Sequence, residues 1–179
     1  QLRAFKQQHP AVAVEITHDV WEPEKPSKNA HLEIGYREIE KQQTQDDLSL
    51  LSKDQLFPVV APYLKDEAIV QLPLIHVSGY YHEWRWWQEQ KDAEQISDVV
   101  GTALANHNHS RSRHKQDWVV DNSLIAYQLA AQGLGIALGR SGLGEGMLKN
   151  HLLRQLERGN LVDAWVGFYL SVGALGNQQ

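Results

Sequence analysis

The segment covering residues 118–138 limits the possible folds of this chain more than any other. Two short apolar stretches, residues 118–120 and 136–138, have the length and composition of buried strands. Between them, residues 121–123 offer polar side chains that can cap a helix, and Gly133 suits the end of that helix. The sequence therefore predicts a strand, a capped helix and a second strand in immediate succession.

The rest of the chain continues this alternation of strands and helices. Alternating or continuous apolar residues predict further strands at 11–16, 32–36, 74–77 and 164–172. Leucines one turn apart predict a helix over residues 145–158, and residues 1–8 have the pattern of a helix end. Pro58 interrupts the apolar run 56–61, which favours an edge strand or a segment that crosses between two lobes. The predicted class is α/β.

Composition narrows the classes of function. The chain has 179 residues, 42% of them hydrophobic, which is enough to bury a core. It contains no cysteine, which excludes a disulfide framework, an iron–sulfur centre and a thiol nucleophile within these residues. The net charge of -5 argues against a basic DNA-binding face. Because no export signal or long apolar run is present, we predict a cytoplasmic protein without a membrane segment.

Several segments carry a family resemblance through their order along the chain. They are LRAFKQQHPAVAVEI, HLEIGYRE, DQLFPVVAPYL, LPLIHVSGYYHEWRWW, and VVDNSLIAYQLAAQGLGIALGRSGL followed by LERGNLVDAW. Together they resemble the effector-binding domain of LysR-type transcriptional regulators, in particular the glycine-cleavage-activator-like branch. The chain departs from that pattern at His31, where the family usually has Asp, and in residues 91–117, a region longer than usual.

The resemblance implies a two-lobe, type 2 periplasmic-binding-protein-like fold with two crossing strands. Residues 1–60 and 165–179 would form the first lobe, without its N-terminal strand, and residues 61–164 the second. It also implies a small-molecule effector bound between the lobes and assembly as a homodimer or homotetramer. Contact with DNA would be made only by a winged helix-turn-helix domain that is absent from this chain.

A second function is compatible with the same fold. An extracytoplasmic solute-binding protein of a transporter has the same two-lobe architecture, and the fold alone does not separate the two functions. An enzyme is not predicted, because the sequence offers no nucleophile with a positioned base. We predict no cofactor.

The expected effector site lies between the lobes, at strand ends and helix N-termini. The candidate residues are Gly35, Tyr36, Arg37, Ser78, Gly79, Asp121, Asn122, Ser123 and Tyr169. Each has a second interpretation: residues 121–123 bind an anion or only cap a helix, and Arg37 binds an anionic effector or lies exposed. Ser78 and Gly79 approach a ligand or form a simple turn, and Tyr169 faces the cleft or packs in the core.

Aromatic and histidine clusters complete the candidates. The aromatic cluster, which stacks on a ligand or packs over a sheet edge, contains Tyr80, Tyr81, Trp84, Trp86 and Trp87. In the packing interpretation, Trp84 and Trp87 lie one helical turn apart and face the core. The histidines form a metal site or belong to a polar loop; they are His76, His82, His107, His109 and His114. We predict no metal, because cysteine and a defined carboxylate spacing are lacking.

Overall fold

The computed structural model describes residues 2–17, 30–38, 48–78, 84–90, 96, 98–108, 117–156 and 161–172. Its strands are β1 (Leu32–Glu38), β2 (Leu48–Val60), β3 (Leu74–Val77), β4 (Trp118–Val120), β5 (Ile136–Arg140), β6 (Arg154–Gln155) and β7 (Val162–Val172). Its helices are α1 (Leu2–Gln8), α2 (Asp66–Ile69), α3 (Trp84–Glu89), α4 (Asp98–Asn108), α5 (Ser123–Ala131) and α6 (Ser141–Lys149). In these ranges, no helix combines the length and apolar character needed to cross a membrane.

The strands form one mixed sheet in the order β1-β7-β2-β5-β3-β4, and β6 pairs with β2. β1, β7, β2 and β5 are antiparallel neighbours, whereas β3 is parallel to both β4 and β5. The helices between β3, β4 and β5 provide the crossovers that parallel strands require. The α/β class is confirmed, as are the strands predicted at 32–36, 74–77, 118–120, 136–138 and 164–172.

β2 passes through the middle of the sheet and joins two groups of strands. Residues 48–56 pair with β7, and residues 56–59 pair with β5. Pro58 is therefore part of a central strand, opposite Leu138, so the edge-strand alternative is wrong. The strand accommodates the proline while the carbonyl of Pro58 still accepts a hydrogen bond from the amide of Leu156, at 3.0 Å.

Two hydrophobic cores lie on opposite faces of the sheet around β3. Leu74 belongs to one core and its neighbour Ile75 to the other, as expected from the alternation of side chains along a strand. Trp84 and Trp87 of α3 are buried in the core that contains Leu74, with their rings edge to face and 6.0 Å apart. The packing interpretation of these two tryptophans is therefore confirmed.

α5 begins and ends where the sequence predicts. The side chain of Asn122 accepts a hydrogen bond from the amide of Ile125 at 3.0 Å, which identifies it as the N-cap. Gly133 has a φ of 75°, and the amide of Leu134 donates to the carbonyl of Leu129 at 3.1 Å. A left-handed glycine just past the helix is a common helix end, because glycine adopts this conformation without steric cost.

The helix predicted over 145–158 differs from the observed α6, which begins at Ser141 and ends at Lys149. The chain leaves the helix at His151, whose φ of 54° is the left-handed conformation usually taken by glycine. The amide of Leu152 then donates to the carbonyl of Met147, at 2.9 Å. The predicted end was wrong because a histidine, rather than a glycine, occupies the helix-ending position.

The strand predicted at 11–16 is also wrong. Residues 12–17 follow a turn, and within the described part of the chain no strand pairs with them. The apolar side chains of this segment remain partly exposed, Ile16 at 74%. Alternation of apolar residues favours an extended backbone, but a strand also needs a hydrogen-bonded partner.

Candidate functional site

A buried ion pair joins two strands at the centre of the sheet. Asp54 of β2 is 0% exposed and Arg140, the last residue of β5, is 4% exposed. The Nη1 atom of Arg140 donates to the Oδ2 atom of Asp54 at 3.0 Å. Their burial follows from β2 and β5 pairing directly, with Leu56 opposite Arg140 in the ladder. Charges this far from water are stable only when they are paired and hydrogen-bonded.

Tyr36 of β1 extends this pair into a network. Its hydroxyl donates to the Oδ2 atom of Asp54 at 3.0 Å and accepts a hydrogen bond from Nη1 of Arg140. The Arg140 guanidinium also lies over the Tyr36 ring, 5.1 Å from its centroid. Burial raises the pKa of the Tyr36 hydroxyl far above its usual value, and the Asp54 charge acts in the same direction while Arg140 opposes it.

The other carboxylate oxygen of Asp54 is bound by two further donors. The amide of Gln55 donates to Oδ1 at 3.1 Å, and the hydroxyl of Ser141, at the start of α6, donates to it at 3.3 Å. We refer to Tyr36, Asp54, Arg140 and Ser141 as the junction network. It connects β1, β2, β5 and α6 through groups that are mostly withdrawn from water.

A cavity of about 270 Å³ lies beside this network, at the carboxyl ends of β3 and β5. Its described polar lining consists of His76, Ser78 and Arg140. Its described apolar lining consists of Ile75, Val77, Trp84, Val119 and Leu138. The carboxyl ends of parallel strands are where open α/β sheets commonly bind ligands, so this cavity is the candidate effector site.

His76 and Ser78 are held by the neighbouring strand β4 and the residue before it. The Nε2 atom of His76 lies 3.4 Å from the Oδ2 atom of Asp117, whose other carboxylate oxygen accepts from the amide of Leu74 at 3.0 Å. The hydroxyl of Ser78 donates to the carbonyl of Val120 at 3.2 Å. Both cavity-lining side chains therefore have orientations set by the β3–β4 pair.

The structure brings some of the predicted site residues together. Ser78 lines the cavity, and Tyr36 is bonded to Arg140, which also lines it. Gly35 and Tyr169 are paired in the β1–β7 ladder, and the Tyr169 side chain is buried. These positions share a sheet but do not share one pocket among the described residues.

The remaining predicted residues are placed differently. Asn122 caps α5, and the exposed Asp121 accepts from the Asn122 amide group at 3.1 Å, whereas Ser123 is buried. None of these three is among the described residues that line the cavity. The side chain of Arg37 and the whole of Gly79 lie outside the described part of the structure. The nine candidates stay predictions as effector ligands.

Sequence reasoning missed the centre of the site, namely Asp54, Arg140 and Ser141. One signal was present: Arg140 directly follows the apolar strand predicted at residues 136–138 and Gly139, which places a charged side chain at a strand end. Asp54 gave a weaker signal, because the polar sequence SKDQ resembles a loop more than a central strand. His76 was considered only as a metal ligand.

Metal ligation has no support within the described ranges, where no three His, Asp or Glu side chains converge. Three of the histidines proposed as ligands, His82, His109 and His114, lie outside those ranges, as does the side chain of His107. So do Tyr80, Tyr81 and most of the polar stretch between residues 91 and 117.

Solved structures share this fold. The chain is similar to the effector domain of the transcriptional regulator AmpR of Pseudomonas aeruginosa, with 17% identity and a TM-score of 0.64 over 96% of this chain and 76% of that one. The effector-binding domain of AmpR from Citrobacter freundii gives 16% identity and a TM-score of 0.64 over 97% and 79% of the two chains. Full-length AphB, a Vibrio cholerae virulence activator, gives 12% identity and a TM-score of 0.57 over 96% and 55%.

These similarities establish the fold of the chain. It is the type 2 periplasmic-binding-protein-like fold of LysR-type effector-binding domains, as the sequence resemblance implies. At the level of sequence, no protein-family model and no curated protein matches the chain. The glycine-cleavage-activator-like branch stays a prediction.

Proposed function

We propose that this chain is the effector-sensing regulatory domain of a LysR-type transcriptional regulator. The fold likeness to AmpR effector domains, over 96% and 97% of the chain, supports a regulator over an extracytoplasmic solute-binding protein. In this proposal residues 1–60 and 165–179 form the first lobe and residues 61–164 the second. The protein acts in the cytoplasm as a homodimer or homotetramer, is not an enzyme, and reaches DNA through a separate winged helix-turn-helix domain.

One observation carries the proposal: the cavity wall and the central strands are joined by the same side chain. Arg140 lines the cavity, and its guanidinium is bonded to Tyr36 of β1 and Asp54 of β2. An effector that displaces Arg140 must therefore change bonds on the strand that links the two groups of the sheet. A sensor requires this coupling between ligand contact and the arrangement of its parts.

The proposed effector site is the cavity together with the predicted residues around it. Ser78 contacts the effector at the end of β3, and Tyr36 responds through Arg140. The N-terminus of α5 follows β4, whose residue Val119 lines the cavity, so residues 121–123 lie close to the cavity along the chain.

Thermal unfolding of the chain tests this proposal against a panel of amino acids, aromatic acids, alcohols and sugars. A true effector at 100 times its dissociation constant should stabilise the folded state by about 2.7 kcal/mol. For a chain of this size, that raises the melting temperature by about 5–10 °C. Leu138→Trp, which fills the cavity from β5, should remove the shift. A panel that leaves the melting temperature unchanged would contradict ligand sensing.

The coding sequence preceding residue 1 separates the regulator from the transport protein. The proposal expects a winged helix-turn-helix there, and expects the full-length protein to retard its own promoter DNA in a gel. An apolar export signal at that position would instead identify a solute-binding protein.

Sedimentation of the full-length protein should give a dimer or tetramer rather than a monomer.

A further inference from the structure

The cavity beside the junction network has an electrostatic character that restricts its ligand. Of the eight described residues that line it, five are apolar and two can carry a positive charge. Two cations in a largely apolar cavity would suggest a carboxylate ligand, as in many sites that bind organic anions. The partners of His76 and Arg140 show that this expectation does not apply here.

Both of these groups already face a buried carboxylate. Arg140 is paired with Asp54 at 3.0 Å, and the Asp54 side chain is 0% exposed. His76 lies 3.4 Å from Asp117, whose side chain is 5% exposed. A ligand carboxylate entering the cavity would lose its water and meet an arginine whose charge is already matched by Asp54 and a histidine that already faces Asp117. It would also be repelled by the two carboxylates behind them.

The other polar groups favour a neutral ligand that donates a hydrogen bond. The Ser78 hydroxyl proton is directed to the carbonyl of Val120, which leaves the hydroxyl oxygen as an acceptor. The indole N–H of Trp84 donates to the carbonyl of Ile75 at 3.2 Å, so its polar group is bonded to the protein rather than to the ligand. The volume of the cavity is also sufficient for a ring compound, because a cavity of about 150 Å³ can hold benzene and this cavity has about 270 Å³.

We infer that this cavity binds a neutral, largely apolar ring compound with one hydroxyl or N–H donor, in preference to the corresponding carboxylate. The inference rests on the proposed sensing function and names its ligand class. The donor binds the Ser78 hydroxyl oxygen at the end of β3, and the ring lies against Trp84, Val119 and Leu138. Arg140, whose charge is matched by Asp54 before a ligand enters, contributes packing surface that the ring can displace.

Two pairs of compounds that differ in a single group test the inference by titration calorimetry. They are 2-phenylethanol with phenylacetate, and tryptophol with indole-3-acetate. We expect each alcohol to bind at least tenfold more tightly than its acid, and Leu138→Trp to abolish binding of both. Ser78→Ala, an exposed position at a strand end, should weaken the alcohols by about fivefold and leave ethylbenzene unaffected.

Asp54→Asn tests the electrostatic cause directly. Without the carboxylate, the charge of Arg140 is unmatched, so the preference for the alcohol should shrink at least tenfold or reverse. Glu145→Gln removes an exposed carboxylate outside the described cavity lining and should leave the preference unchanged. If Asp54→Asn does not fold, the wild-type pairs and Ser78→Ala still decide the question.

The outcomes separate this inference from the proposed function. Equal or tighter binding of the acids overturns the neutral-ligand inference, while ligand sensing itself survives. Failure of all four compounds to bind also overturns the inference, and sensing then depends on the wider thermal panel. Binding of the alcohols that persists in Leu138→Trp would place their site elsewhere and equally refute the assignment to this cavity.

Discussion

The buried pair of Asp54 and Arg140 leads to a stability prediction that the structure makes quantitative. Asp54→Asn keeps the shape of the side chain but removes the negative charge that faces a guanidinium only 4% exposed. Removing one member of a buried ion pair typically costs about 3–5 kcal/mol, because the other charge stays buried without its partner. The hydrogen bonds of Asp54 show where in this range the cost should fall.

Each carboxylate oxygen of Asp54 accepts from two donors. Oδ2 accepts from Tyr36 and Arg140, and Oδ1 accepts from Gln55 and Ser141. An asparagine presents one oxygen and one amide group, so whichever way it is oriented, one set of donors loses its acceptor. We therefore expect a loss of about 4–5 kcal/mol in the free energy of unfolding and a melting temperature lower by about 8–20 °C.

Urea unfolding, followed by tryptophan fluorescence and circular dichroism, measures this loss. Arg140→Met and the variant with both substitutions complete a double-mutant cycle. The loss of unfolding free energy in the double variant should be about 2–3 kcal/mol smaller than the sum of the losses in the two single variants. Glu145→Gln is the matched control, because Glu145 and Lys149 form an exposed pair at 2.6 Å whose loss should cost about 0.5 kcal/mol or less. A cost below about 1 kcal/mol for Asp54→Asn, or an additive cycle, would refute the reasoning.

Three further changes test the structure by urea unfolding. A Cβ atom at Gly142 would lie 2.8 Å from the ring of Phe168, so Gly142→Ala should lower the free energy of unfolding by about 1–3 kcal/mol. A Cβ atom at Gly146 would have no neighbouring atom within 4 Å, so Gly146→Ala should stabilise α6 by about 0.5–1 kcal/mol. If Gly142→Ala were the more stable variant, the packing of α6 described above would be contradicted. Burial raises the pKa of Tyr36 above its usual value of 10.0. Above that pH the unfolded state releases this proton while the folded state keeps it, so the free energy of unfolding should fall by about 1.4 kcal/mol per pH unit, and Tyr36→Phe should lack this loss. Identical slopes for the two proteins above about pH 10 would contradict a buried hydroxyl. His151→Gly should stabilise the folded state by about 0.5–1 kcal/mol, because glycine adopts the left-handed backbone conformation of this position without steric cost. If the substitution destabilises the folded state, the imidazole itself is needed there.

Elements with strong local signals could be predicted from the sequence. α5 was predictable at both ends, because Asn122 is a good N-cap and Gly133 adopts a conformation that other residues avoid. β7 was predictable because apolar side chains alternate over its length, which fits a strand with two different faces. In both elements, the residues that determine the structure lie next to each other in the chain.

The junction network could not be predicted, because its members are distant in sequence. Asp54 and Arg140 are 86 positions apart, and their contact depends on the pairing of β2 with β5. The pairing of β2 with β7 explains why the polar residues of β2 form a strand. Gln55, for example, donates from its side chain to Asp163 of β7 at 2.7 Å, a partner that local propensity does not consider.

Stability alone does not explain why the chain places charges at this junction. The cost of removing Asp54 and Arg140 from water offsets much of their attraction, so apolar residues of similar size could occupy these sites at little or no loss. A charged network differs from an apolar contact in how it responds to displacement. If Arg140 moves away, a buried carboxylate loses its counter-charge, so displacement of Arg140 carries a large electrostatic cost. Movement of the cavity wall is thereby coupled energetically to the central strand, and an effector-driven switch requires such coupling.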